Sequence, residues 1–409
     1  MLRTALADSS SRRFFAAHAQ SCLGSGLAHV AMPLLAYEHT HSAWAVTAVL
    51  IPDLLPSILF GPLLGALVDR VGWRTCAIAA DLLRMVAFAL VAVAHTLPWM
   101  VVGAALAGFG SALFSPAALS GVTRLARGER RPAALGLFGA LDDLGLTAGP
   151  ALAAGVLALV APAVLLGANA ITFAISAVVL TTIGPWHGRA SDRVERTSLW
   201  TDLRVGLRTI GGRPEVRLLL ASSTAAVLFA GVTNIGEVFL ARDVLGTSAS
   251  GLAALIAAHG AGTILGSLAA RFRSSWEWRR AYIAGLSCMA VDLLLCALIP
   301  NLWVLLPVFV LGGFGNGFAL VHDRLLLGAA VPDALHGRVY SLQKALTSLA
   351  FATSFIGASV LISVGGVQMT FALAGAGMLL VIAISSPRMR TAWPAPTVTH
   401  PALAHVARS

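Results

Sequence analysis

Polar residues are sparse along this chain and collect in a few narrow breaks, leaving apolar blocks of a telling length. A helix needs about 20 apolar residues to cross a bilayer. A window of that width finds blocks at 14–36, 43–64, 75–95, 98–122, 134–159 and 162–183, then at 216–240, 250–270, 280–299, 302–328, 339–364 and 366–386. Six blocks, one polar stretch and six more blocks predict an all-α polytopic membrane protein with twelve transmembrane helices in two six-helix bundles. The expected organisation is an N-terminal bundle over 1–183, a linker over 184–215, a C-terminal bundle over 216–386 and a tail over 387–409. The tail carries Pro394, Pro396 and Pro401 and reads as a disordered extension. The first block is too long for a signal-peptide core and leads straight into further blocks, so it reads as an uncleaved helix.

Composition agrees. The chain is 57% hydrophobic and 11% charged, with a mean hydropathy of +0.83, which a soluble domain could not keep in water. The net charge of +10 informs topology rather than nucleic-acid binding. Of the 28 basic residues, 24 fall in the N-terminus, the linker, the tail and the even-to-odd loops, against Arg242 alone on the opposite side. The positive-inside rule then puts both termini and the linker in the cytoplasm, with the chain in the cell (plasma or inner) membrane. Lysine occurs once, at Lys344, and ends no glycine-rich loop, so a P-loop is absent. Cys22, Cys76, Cys288 and Cys296 lie in or beside apolar blocks without zinc-like or C-x-x-C spacing. They read as small buried hydrophobes, and no metal site is expected.

One polar break is unusually structured. Gly65-Ala-Leu-Val-Asp69-Arg70-Val-Gly72-Trp-Arg74 reads G-x-L-x-D-R-x-G-x-R, and Gly262-x-x-x-Gly266-x-Leu268-x-x-Arg271 echoes Gly61-x-x-x-Gly65-x-Leu67-x-x-Arg70 at an offset of 201 residues. A repeat at half the chain length predicts a duplicated bundle, with Gly65 and Gly266 at equivalent helix ends. The break resembles the loop signature of the major facilitator superfamily of transporters. Gly145-x-x-x-Gly149-Pro150 is similar to that family's helix-five antiporter motif, with a usual later glycine displaced to Gly155. Further strings resemble the macrolide-efflux and siderophore-exporter branch: Ala80-Asp81-Leu-Leu-Arg84, Asn169-Ala-Ile-Thr-Phe173, Asp243-Val-Leu-Gly246 and Val331-Pro332-Asp333 through Gly337-Arg338-Val339. Ser25 departs from that branch, whose members often carry an acid there.

Each string has a physical rationale beside the resemblance. At Gly65, Asp69, Arg70, Gly72 and Arg74, glycine permits a tight turn, and a carboxylate can pair with arginines or a helix N-terminus. Such a latch can be made in one state and broken in another, with Asp69 expected near Arg338 of the other half; an ordinary basic loop is the plainer reading. Gly145 and Gly149 offer a groove to a neighbouring helix, and Pro150 bends the span. That groove serves either a contact between halves or generic packing.

Ionisable groups inside apolar spans are costly and are functional candidates by default. Asp53 lies about ten residues into its block. Asp81 and Arg84 are three apart, share a face and are expected to pair. Asp142 and Asp143 lie about 15 Å beyond Pro132 at about 1.5 Å per residue, near mid-bilayer, and only one can face a given partner. A desolvated carboxylate there can carry a proton. His259 sits at similar depth, and because the facilitator resemblance places the fifth and eighth spans against each other, Asp142 or Asp143 is expected to meet it between the halves. Asn234, Glu237, Asn316 and His322, with Asp323, are candidates for lining the C-terminal side of a cavity; Asp292 is a weaker one.

These features point to a secondary active transporter that exports a hydrophobic or amphipathic small molecule, such as a drug-like compound or secondary metabolite, by alternating access. It would need no cofactor beyond a proton gradient. The expected partners are the substrate and the lipid bilayer, with no nucleic acid, and the chain acts as a monomer. The alternatives are an uptake permease of the same fold and a non-transporting receptor or assembly partner, although the outer loops are short for the latter. An enzyme fits least, because no nucleophile–base arrangement is visible.

Overall fold

A computed structural model of the chain describes residues 6, 8–94, 96–126, 130–157, 159–183, 212–270, 275–331 and 336–393. Most of the linker and the tail beyond residue 393 lie outside them. The described residues are helical, without strands. The helices are α1 Ser9–Thr40, α2 Ala43–Val71, α3 Trp73–Val93, α4 Leu97–Leu125, α5 Arg130–Leu157 and α6 Pro162–Thr181, followed by α7 Pro214–Ala230, α8 Thr233–Phe239, α9 Ala249–Ala269, α10 Ser275–Leu298, α11 Leu302–Ala330 and α12 His336–Ala392. Among the described residues, nine helical stretches are long and apolar enough to cross a membrane. α1 and α5 are as long as their neighbours, but both carry interior polar side chains, His18, Gln20 and Asp142 among them.

The sequence accounts for most ends. Asp8 caps α1 by accepting from the Ser11 N–H at 2.7 Å, and Asn301 caps α11 by accepting from Trp303 at 3.0 Å. Gly72, at φ +100°, makes the one-residue reversal from α2 to α3 that other residues resist. Gly366, at φ +77°, breaks α12 where the eleventh and twelfth spans were expected to separate. Two boundaries differ from expectation. The seventh span breaks at Gly231–Val232, resumes as α8 and ends in a π turn over Leu240–Val244. α12 runs through Pro387 to Ala392, so the first residues assigned to the tail are helical.

Packing divides the chain into two bundles of parallel design. α4 pairs with α2 and α3, α11 pairs with α9 and α10, and α5–α9 and α2–α12 join the halves. The repeat holds, but its register does not follow the motif echo. Leu97–Leu125 and Leu302–Ala330 have equal length and start 205 residues apart. A methyl on Gly108 of α4 would meet Asp53 Cα at 2.7 Å, and one on Gly313 of α11 would meet His259 Cα at 3.0 Å. Asp53 and His259 are therefore symmetry mates. Gly266 abuts the Phe314 backbone, whereas a methyl on Gly65 would meet nothing within 4 Å. The 201-residue offset aligns the end of the shorter α9 with the longer α2 and does not mark equivalent positions.

One core joins Leu34, Val46 and Phe88 of the first half, towards the Ser42 turn, to Ile235, Phe355 and Phe371 of the second, and continues through the second half to Val216, Ala330 and Met389 at its other end. At the Gly72 end, Phe14, Val68, Trp73, Leu125 and Leu180 belong to a cluster whose buried residues all come from the first half.

Candidate functional site

Polar side chains bridge the halves at the Ser42 end. The Tyr37 hydroxyl donates to Asp243, Arg242 pairs with Glu38, and Tyr37 meets Phe239 edge-on with ring centroids 4.9 Å apart. Thr47 and Ser359 hydroxyls lie 2.6 Å apart, both buried, and either can donate to the other; each also lies within hydrogen-bond reach of a backbone carbonyl across the interface, Thr47 of Phe355 O at 3.1 Å and Ser359 of Ala43 O at 2.9 Å. Deeper along α1, His29 Nε2 lies 3.3 Å from Asn234 Oδ1 of the second half. Asn234 is itself steadied by its amide, which donates to Gly231 O at the helix break. The break in the seventh span thus presents Asn234, and the π turn brings Arg242 and Asp243 to α1.

Asp53 is exposed yet set well inside α2, within electrostatic reach of His29 and Arg84. The predicted Asp81–Arg84 pair is present and almost wholly buried. Ser176 donates to the second Asp81 oxygen at 2.6 Å, and the guanidinium lies 4.3 Å from both the Phe114 and Phe173 ring centroids. Both charges are matched within one half, which makes this a structural clamp.

The expected meeting of Asp142 with His259 does not occur. Asp142 Oδ1 instead lies 3.2 Å from His18 Nε2 and 3.4 Å from Cys22 Sγ, both on α1. The Asp143 side chain lies outside the described residues. His259 is half-buried against Phe309, and its Nδ1 is buried without a hydrogen-bond partner. The reason is helix rotation: α5 contacts both α1 and α9, and the Asp142 face is the one toward α1.

The glycine motifs also act within a half. A methyl on Gly149 would lie 2.6 Å from Gly26 Cα, and one on Gly145 would lie 2.7 Å from the Cys22 carbonyl carbon. The groove beside Pro150 therefore seats α1, not the other half. Of the predicted latch, Asp69 and Arg70 are exposed at the end of α2, and the Arg338 side chain lies outside the described residues. Arg74 turns instead to the end of α6. It donates to the carbonyls of Leu180, at 3.0 Å, and Thr181, while Arg13 donates to that of Thr182 at 3.1 Å. Cations belong at a helix C-terminus.

In the second half, Glu237 is half-buried within electrostatic reach of Asp292, whose carboxylate accepts from Cys296 Sγ at 3.7 Å. Asn316 is half-buried; His322 is fully buried and its Nδ1 donates to Phe318 O at 2.6 Å; Asp323 accepts from Gln343 at 2.7 Å. These groups are spread along several helices and do not converge. Grooves of about 540 and 440 Å³ lie at the two ends of the bundle, beside Arg217 and Arg388 and beside His41 and Gln368, away from the mid-span groups. Sequence reasoning missed His18, His29, Tyr37, Thr47 and Ser359. The signal for His18 and Cys22 was their i, i+4 spacing on a polar stripe; Thr47 and Ser359 left none.

Known proteins place the chain. The family model described as Major Facilitator Superfamily matches residues 14–322. An uncharacterized MFS-type transporter of Mycobacterium tuberculosis is 30% identical over 58% of this chain, a match that spans 56% of that relative's length. The multidrug efflux pump Tap of Mycolicibacterium fortuitum is 26% identical over 90% of this chain and 93% of its own. Among solved structures, a bacterial homologue of the human lysosomal transporter Spinster, inward-facing and unoccupied, is similar with a TM-score of 0.70 at 13% identity. That likeness covers 95% of this chain and all of that one.

Proposed function

Because the chain belongs to the Major Facilitator Superfamily, we propose that it is a proton-coupled exporter of a hydrophobic or amphipathic small molecule, working by alternating access as a transporter and not an enzyme. The reading takes twelve spans, counting α1 and α5 as spans and dividing α12 at Gly366. With the basic loops and both termini in the cytoplasm, the Ser42 end faces out. The state described is then closed to the outside, and the single observation that carries the reading is the polar seal between halves at that end.

Asp53 is the coupling carboxylate in this reading. It is exposed and within electrostatic reach of His29, and His29 in turn contacts Asn234 across the halves. Gain or loss of one proton at Asp53 changes the charge near His29, which in this state makes a contact that joins the halves. The exchange of a proton for substrate thereby biases a bistable element. Export is supported by the likeness to an efflux pump over nearly the whole chain.

The test is accumulation of a panel of dyes and antibiotics in cells with and without the protein, with and without a protonophore. Expression should lower accumulation and the protonophore should abolish the difference. Asp53→Asn should abolish proton-driven efflux while substrate exchange without a gradient persists. Raised accumulation on expression would make the protein an uptake permease, and full proton-driven efflux by Asp53→Asn would remove Asp53 from coupling.

A further inference from the structure

Within the first half, α1 and α5 bring three potential ligand atoms into a nearly equilateral triangle. His18 Nε2 to Asp142 Oδ1 is 3.2 Å, Asp142 Oδ1 to Cys22 Sγ is 3.4 Å, and Cys22 Sγ to His18 Nε2 is 3.5 Å. A tetrahedral zinc ion with bonds of about 2.0 Å to nitrogen, 2.1 Å to oxygen and 2.3 Å to sulfur has ligand–ligand edges of roughly 3.3–3.6 Å. The triangle has the dimensions of one face of that tetrahedron. We propose that His18, Cys22 and Asp142 bind a borderline-soft divalent cation of the zinc type, with the fourth coordination position filled by water.

The donor set selects the class. Thiolate and imidazole suit zinc and its neighbours, while magnesium and calcium require oxygen ligands. The site is also held ready. His18 and Cys22 are one helical turn apart and point the same way. The imidazole is stacked on Phe138, with centroids 4.3 Å apart and planes 7° apart, and lies parallel to Phe114 on a 6.0 Å spacing. The Gly145 and Gly149 contacts bring α5 close enough for Asp142 to reach both ligands. Access comes from Asp142, whose side chain is 51% exposed while His18 is 3% exposed.

Without metal, the imidazole and the thiol contact the same carboxylate oxygen. On binding, the thiol loses its proton to water, the imidazole offers its Nε2 lone pair, and one Asp142 oxygen completes the face. No redox step is involved. The bound cation ties α1 to α5 inside the first half, so the proposal stands independently of substrate, coupling residue or transport direction.

The test is a cobalt titration of the purified full-length protein in detergent, isolated without a histidine tag. One equivalent of Co²⁺ should give the visible bands of a tetrahedral ion and a near-ultraviolet thiolate charge-transfer band, both displaced by one equivalent of Zn²⁺. Cys22→Ser should remove the charge-transfer band, Asp142→Asn should weaken binding at least tenfold, and Cys288→Ser should change neither. Absence of the band, or its survival in Cys22→Ser, would overturn the assignment. A second measurement needs no variant: Zn²⁺ should slow maleimide modification of Cys22, read by mass spectrometry, without slowing that of Cys288. Equal Cys22 rates with and without Zn²⁺ would count against the site.

Discussion

The two ends of the bundle are built differently. At the Ser42 end the halves share one apolar core, sealed by Tyr37–Asp243, Glu38–Arg242 and Thr47–Ser359. At the Gly72 end the first half closes on itself, with Trp73 and Leu180 in a private cluster and Arg13 and Arg74 spent on the end of α6. Within the first half the Asp81–Arg84 pair is buried and backed by Ser176 and two aromatic rings; between the halves Thr47–Ser359 is buried, but the charged pair Glu38–Arg242 is a single, partly exposed contact. A molecule assembled this way keeps each half rigid and lets the joint between them come apart.

The contrast is tested most severely inside the first half. Arg84→Met would leave the Asp81 carboxylate buried without its cation, which costs about 3–5 kcal/mol. A large fall in melting temperature in detergent is expected, partly recovered in the Asp81→Asn/Arg84→Met double variant. An unchanged melting temperature would mean that Arg84 is not the clamp of that half.

Next comes the helix-five groove. Gly149→Ala places a methyl 2.6 Å from Gly26 Cα, so α1 and α5 must separate at an overpacking cost of about 1–3 kcal/mol. Because this contact lies within a half, stability should drop more than the rate per folded molecule. A variant of normal stability that leaks protons would return the motif to the interface between halves.

The smallest effect belongs to the joint. Glu38 and Arg242 side chains are 32% and 21% exposed, and such a pair is worth about 0–1 kcal/mol. Glu38→Gln should leave the melting temperature nearly unchanged yet shift the balance of states toward outside-open, read as faster labelling of a cysteine at His41. Raising the ionic strength should narrow the difference from the unsubstituted protein.

Length and hydropathy made the helices legible, because a bilayer imposes the same demand on every span. The Asp81–Arg84 pair was legible for a similar reason: both partners sit on one helix, three residues apart. Pairings between helices were not. Asp142 was singled out as a carboxylate within an apolar span, but its partner depended on which face of α5 turns to α1, and helix rotation leaves no mark in a single sequence. Arg74 read as part of the latch at the Gly72 turn, whereas its carbonyl partners lie on α6, more than a hundred positions away. The motif echo suggested a register of 201 that the Asp53–Gly108 and His259–Gly313 contacts replace, since the two equivalent helices differ in length.

The claim that the Ser42-end joint opens and closes during transport can be tested by locking it. Thr47 and Ser359 oxygens are 2.6 Å apart, close enough for a disulfide between cysteines at these positions in a background without the four native cysteines. Oxidised Thr47→Cys/Ser359→Cys should bind substrate from the cytoplasmic side but cease to export it, and a reductant should restore export. Export at the full rate with the disulfide intact would contradict the account.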